Sequence, residues 1–166
     1  MDVADVFKKR NFKNINLKYE DLVGKDLSDV FLSGVDLNGA DIHNADLSGA
    51  DLSNAKLRSG ILFNVKLRGA DLRGADLSEA KIWDADMYGV DMQGANLKGT
   101  DLFNTDLRSN DLNHADFSGA YLKNSNFEGS LMKNNEFSNT YYDKKTFDTI
   151  SDHDAKLNLK NNGILW

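Results

Sequence analysis

Residues Ala40 to Ala55 read ADIHNADLSGADLSNA. The stretch is one five-residue unit, Ala-Asp-Leu/Ile-polar-small, written three times without a slip. Working outward in both directions, a large apolar residue recurs at every fifth position from Phe7 through Phe12, Leu17 and onward to Tyr142 and Phe147. A period of five matches neither the 3.6 of a helix nor the 2 of a strand, so the chain must turn once per unit. The position two before each large residue is held small, as at Ala40, Ala45, Ala50, Ala70, Ala95 and Ala120, with Gly60, Thr100, Thr105, Ser125 and Ser130 as variants. Each unit therefore points two side chains inward and three outward.

If four units close a square, one coil takes twenty residues and the next coil stacks at the parallel-strand spacing of about 4.8 Å. The 140 residues from Phe7 to Phe147 then make about seven coils. Burying one Leu contributes roughly 1.5 to 3 kcal/mol, whereas ordering five residues of backbone costs on the order of 5 to 10 kcal/mol. A coil can be stable only beside its neighbours, through backbone ladders and tight packing at the small position.

The repeated Ala-Asp-Leu unit resembles the pentapeptide-repeat proteins. The resemblance implies an all-β fold, a right-handed quadrilateral parallel β-helix of about seven coils with short N-terminal and C-terminal caps. The chain reads as a single domain, 1–166. Within it, 1–10 form an N-terminal cap as an amphipathic helix, 11–147 the repeats, most regular over 26–140, and 148–166 a C-terminal cap. Ile15, Glu20 and Lys25 occupy the small position near the start and predict a distorted first coil. Asn110 and Asn135 occupy it later, and each needs a buried hydrogen-bond partner. The portion TYYDKKTF, from Thr140 to Phe147, looks like the closing segment that follows the repeats in bacterial members of the family.

Composition narrows the function. The 166 residues carry a formal net charge of −6, which disfavours direct binding to nucleic acid or an anionic membrane. There is no cysteine, so thiol nucleophiles and thiolate metal sites are excluded. His43, His114 and His153 fall on different columns or in the tail, and neither an EF-hand loop nor a calcium nonapeptide is present, so no metal site and no cofactor are expected. Carboxylates are everywhere, but no cleft, phosphate loop or nucleophile elbow accompanies them, and the chain reads as no enzyme. With no signal peptide in the chain as given, a cytoplasmic location is the expectation.

Folding the sequence at a period of twenty turns spacing into columns. One column runs Val23, His43, Phe63, Trp83, Phe103, Lys123, beside Ile61, Tyr121 and Tyr141. On a face centred on the inward residues Leu22 to Leu122 these aromatics form a contiguous apolar strip, which either marks an interface or stabilises neighbouring coils by cross-strand stacking. A second column, Asp51, Asp71, Asp91 and Asp111, either imitates a row of backbone phosphates or ties down turn backbone, as Asp commonly does. Lys56, Arg58, Lys66 and Arg68 break up the charge on the adjoining faces. At the end, Ile164, Leu165 and Trp166 either cover the last coil or dock on a second subunit.

Two functions follow. The first is a non-catalytic scaffold that binds a protein partner or itself, as a homodimer, through the aromatic column or the C-terminal cap. The second is implied by resemblance to the family's quinolone-resistance branch, a DNA-mimicking binder of a type II topoisomerase that inhibits or protects gyrase. Members of that branch pair head to head through their C-terminal ends, and some carry projecting loops. The unbroken register leaves no room here for such loops.

Overall fold

The computed structural model describes Phe12 and residues 15–166. The helix expected over Met1–Arg10 lies outside the described residues. From Asn16 to Tyr121, every fifth residue forms a parallel backbone bridge to the residue twenty positions on, beginning with Asn16 to Asp36 and ending with Tyr121 to Tyr141. Four such bridges per turn of chain give a four-sided parallel β-helix. Each side contributes one bridged residue, so a ladder runs along the molecule although long strands do not form.

The corner between two sides is a hydrogen-bonded turn. The amide of Ala45 donates to the carbonyl of Ile42 at 3.1 Å, and that of Ala50 to Leu47 at 3.1 Å. Within the turn, the residue just before the small one has a positive φ at every unit from Tyr19 to Asn139. A four-residue turn with positive φ only at its third residue is type II. The inward Leu opens the turn and the inward Ala closes it. Gly fills many of these left-handed positions and Asn is the commonest alternative, as at Asn44, Asn64 and Asn104, because both tolerate that conformation.

The large residues stack into the core, with Leu52, Leu72, Leu112 and Phe117 fully buried. From Thr100 on the small position is mostly polar, Ala115 and Ala120 excepted, and the hydroxyls reach back to the coil before. Thr100 Oγ1 donates to Leu77 O at 3.0 Å, Thr105 to Ile82 O at 2.8 Å, Ser125 to Leu102 O at 2.7 Å and Thr140 to Phe117 O at 2.7 Å. The two inward amides are only half satisfied. Asn110 Oδ1 accepts from Val90 N at 2.8 Å, and Asn135 Nδ2 donates to Leu112 O at 2.6 Å, while Asn110 Nδ2 and Asn135 Oδ1 find no partner.

Two sequence expectations are corrected. Where the first coil is described, from Asn16 on, it is not distorted. Glu20 and Lys25 are exposed, yet their turns close and Asp21 and Asp26 bridge in register. A charged side chain at the end of a rod can reach water without moving the backbone. The repeats also stop short of Phe147. β1, Tyr141–Tyr142, is followed by helix α1, Lys144–Thr149, which carries Phe147. Asp143 caps that helix by accepting from Thr146 N at 2.8 Å, a geometry that replaces the expected turn. The cap itself is largely helical, since α2, His153–Asn162, follows with Asp152 as its N-cap. Ile150, Ala155 and Leu159 are buried against the last coil. The chain then ends in β2, Ile164–Leu165, which pairs in parallel with β1.

The left-handed corner can be tested where nothing else interferes. A Cβ at Gly94, with φ of +66°, meets nothing within 4 Å. Gly94→Val is expected to lose about 1–2 kcal/mol in denaturant unfolding from backbone strain alone, and Gly94→Asn clearly less. Equal stability of the Val variant and the wild type would contradict the turn assignment.

Candidate functional site

The turn geometry decides where the aromatic column stands. Residues 43, 63, 83 and 103 are the second residues of their turns, so they sit on a corner of the square and form a ridge. The flat side next to it is centred on the bridged residues Asp41, Ile61, Lys81, Asp101 and Tyr121. The expectation of a column on a face centred on the inward residues is corrected accordingly, because the inward Leu begins the corner and does not mark the middle of a side.

Along the ridge, the ring of His43 stacks on Phe63 with centroids 4.4 Å apart and planes 16° from parallel. Phe63 then meets Trp83 at 5.4 Å in a tilted pair. Phe103 forms no ring pair with Trp83 among the described residues. Of these rings only His43 and Phe63 lie face to face. Trp83 and Phe103 keep 39% and 38% exposure, so the ridge remains open to a partner. His43 is fixed by Asp41, whose Oδ1 lies 2.6 Å from its Nδ1. Next to the ridge, the left-handed corner residues form a polar rail in which Asn64 Nδ2 donates to Asn44 Oδ1 and Asn104 Nδ2 to Asp84 Oδ1, each at 2.6 Å.

Tyr121 and Tyr141 belong to the flat side, stacked at 4.6 Å and 4°. They are joined there by the C-terminus. Trp166 N donates to Tyr142 O at 2.9 Å, and Lys123 Nζ lies 5.2 Å from the Trp166 ring. Ile164, Leu165 and Trp166 thus cover the last coil with their backbone, while their side chains stay exposed. The sequence split the aromatic column and the C-terminal residues into two candidate sites; the structure brings Phe103, Tyr121, Tyr141 and Trp166 around one cavity.

Asp51, Asp71, Asp91 and Asp111 follow one another up a single ladder. Each accepts a hydrogen bond at Oδ1 from the backbone amide two residues on, from Ser53, Arg73, Gln93 and Asn113 respectively. Arg73 also pairs with both Asp71 and Asp91, and Gln93 Nε2 donates to Asp111 Oδ2 at 2.9 Å. The column is therefore tied into the turns and partly neutralised. The hydrogen bond from Arg73 holds the Asp71 carboxyl below its usual range, with burial opposing, and the bond from Arg108 does the same for Asp106.

One arrangement escaped the sequence. On the next corner Arg68 and Arg108 lie over the two sides of Tyr88, 5.0 and 5.7 Å from its ring. Their spacing of twenty on either side of Tyr88 was the signal available. Both guanidinium groups are already paired, with Asp86 and Asp106. Among the described residues no group of three or more His, Cys, Asp or Glu could hold a metal, and no helix is long and apolar enough to cross a membrane.

The family model for pentapeptide repeats matches in 8 copies over residues 11–58, 62–94, 70–108, 91–129 and 111–141. The chain belongs to the pentapeptide repeat family. Its members are right-handed β-helix solenoids, and no catalytic family is indicated. Similar solved structures include HetL, a pentapeptide repeat protein involved in heterocyst differentiation regulation in the cyanobacterium Nostoc sp. strain PCC 7120. It is 24% identical, with 86% of this chain and 82% of that one covered and a TM-score of 0.42. Full-length QnrB1, a plasmid-mediated fluoroquinolone resistance protein, is 15% identical with 74% and 82% covered and a TM-score of 0.46. A pentapeptide repeat protein from the Arabidopsis thaliana thylakoid lumen is 26% identical with 84% and 77% covered and a TM-score of 0.32. The search of curated proteins gave no match.

The lowered carboxyls of Asp71 and Asp106 in this pentapeptide repeat protein tie part of its stability to pH. Because the folded pKa values of Asp71 and Asp106 lie below the ordinary aspartate value of about 3.9, their contribution is complete above that pH and is lost as pH falls through the folded values. Changing both to Asn keeps a turn acceptor and removes the charge. The double variant is expected to show a flatter loss of stability below about pH 4 in pH-dependent urea unfolding; an unchanged acid limb would contradict the ion-pair origin.

Proposed function

We propose that this chain is a non-catalytic rod of about seven coils that binds a partner protein along the aromatic ridge. The observation behind the reading is the run of packed rings His43, Phe63 and Trp83, continued by Phe103, at a repeat position that elsewhere presents mostly Ser, Asn, Arg or Lys, with Tyr88 the other aromatic. Ring packing holds His43, Phe63 and Trp83 before a partner arrives, so less rotamer entropy is lost on binding there. Large exposed aromatics that are already ordered are the residues from which interface hot spots are made. A ridge of this shape suits a groove on the partner, since two convex corners would touch only along a line.

The gyrase reading has less support. DNA mimicry needs a row of free negative charge, whereas Asp71 and Asp91 share Arg73, and Lys66, Arg68 and Arg108 are interleaved with the acidic residues of the next side.

The ridge reading is tested with Phe63, Trp83 and Phe103 all changed to Ser. These outward residues leave the inward pattern intact, so cooperative thermal unfolding is expected to persist. Immobilised wild type should retain from the native host at least one protein that the triple variant loses by about tenfold or more, which corresponds to roughly 1.4 kcal/mol. Equal retention by the two overturns the reading.

A further inference from the structure

At the C-terminal end of the flat side next to the ridge lies a cavity of about 270 Å³, lined by the aromatic residues Phe103, Tyr121, Tyr141, Tyr142 and Trp166 together with Asp101 and Lys123. It is distinct from the ridge stack, since neither Phe63 nor Trp83 lines it. Trp166 is brought to it by the backbone pairing of β2 with β1. We propose that this cavity binds a free amino acid with an aromatic or large aliphatic side chain.

The charges of the cavity carry the argument. Lys123 has no carboxylate within ion-pair distance among the described residues and rests over the Trp166 ring instead. Asp101 gives Oδ1 to the amide of Phe103 at 3.1 Å, and no cation of the described residues lies within ion-pair distance of it. One ammonium and one carboxylate thus stand at the same cavity, on neighbouring coils, without neutralising each other. A purely anionic ligand would meet Asp101, and a purely cationic one would meet Lys123. A neutral apolar ligand would strip water from both charges without replacing it. A zwitterion satisfies both, its carboxylate towards Lys123 and its ammonium towards Asp101 and the electron-rich rings. The remaining wall is aromatic, and the phenol oxygens of Tyr121 and Tyr141 form no hydrogen bond with the described residues, which leaves them free to serve a ligand. The volume lies just under the range typical of pockets for drug-sized molecules, so the ligand is small.

The test uses the full chain with Trp83→Phe, which leaves Trp166 as its single tryptophan. Fluorescence of Trp166 is titrated with L-phenylalanine, with phenethylamine, which lacks the carboxylate, and with 3-phenylpropionate, which lacks the ammonium. L-phenylalanine is expected to give a saturable change, and each analogue to bind about tenfold or more weakly. Lys123→Met should abolish the advantage of L-phenylalanine over phenethylamine. Asp101→Asn, which keeps the acceptor for Phe103 N, should abolish its advantage over 3-phenylpropionate. Absence of saturation with all three compounds overturns the proposal. So does equal affinity for all three, which would make the cavity an apolar surface that some other occupant covers.

Discussion

The structure depends on one hydrogen bond repeated at most corners, from the amide of the small inward residue to the carbonyl of the large inward residue three positions earlier, with side chains taking over at Val90, whose amide donates to Asn110 Oδ1, and at Asn110, whose amide donates to Ser130 Oγ. These corners close it in the type II form, in which the residue before the small one adopts the left-handed conformation. Its local cost is about 1–2 kcal/mol for an ordinary side chain and less for Asn or Asp, and fourteen described non-Gly positions adopt it, seven of them Asn. What offsets the cost is the ladder the turn makes available. Once each corner is fixed, every bridged residue meets its equivalent twenty positions on, and the inward side chains of successive coils fall into register.

The consensus Asp has its explanation at the same corner. Its Oδ1 accepts from the amide two residues later, the first amide inside the turn, as Asp41 does for His43 and Asp101 for Phe103. The abundant negative charge is thus largely a by-product of turn chemistry, and the arginines that lie across Asp71, Asp86 and Asp106 reduce it further. The inward polar residues have a matching role. Thr100, Thr105, Ser125 and Thr140 each tie their coil to the one before by a buried hydroxyl, so the C-terminal half is locked by specific bonds where the N-terminal half relies on Ala packing.

Much of this could be read from the sequence, because the period of five is local and uninterrupted. The inward Leu and Ala series, the twenty-residue column spacing and the turn role open to Asp51 all follow from it. Three features could not be read. The corner position of Phe63 and Trp83 required knowing which residues form the turn, and a bare period does not say whether Leu marks the middle or the end of a side. Helix α1 keeps Phe147 at the repeat spacing, so the count of five runs on past the last coil and conceals the change of structure. The return of Trp166 to Tyr121 and Tyr141 depends on a tertiary contact across the cap that no repeat encodes. For the candidate site, the column was legible and its shape was not.

The central claim is that the inward pattern carries the fold and the outward columns carry function, so the two can be separated. Deleting residues 70–74, one complete unit between Phe63 and Trp83, tests this most directly, read by thermal unfolding together with near-ultraviolet circular dichroism. The inward series stays in register while Trp83 moves to another corner, away from Phe63. The account predicts cooperative unfolding with a modest loss in Tm, and disappearance of the aromatic signal of the Phe63 and Trp83 pair. Deleting Gly74 alone should abolish cooperative folding. A five-residue deletion that fails to fold, or that folds with the aromatic signal unchanged, would contradict it.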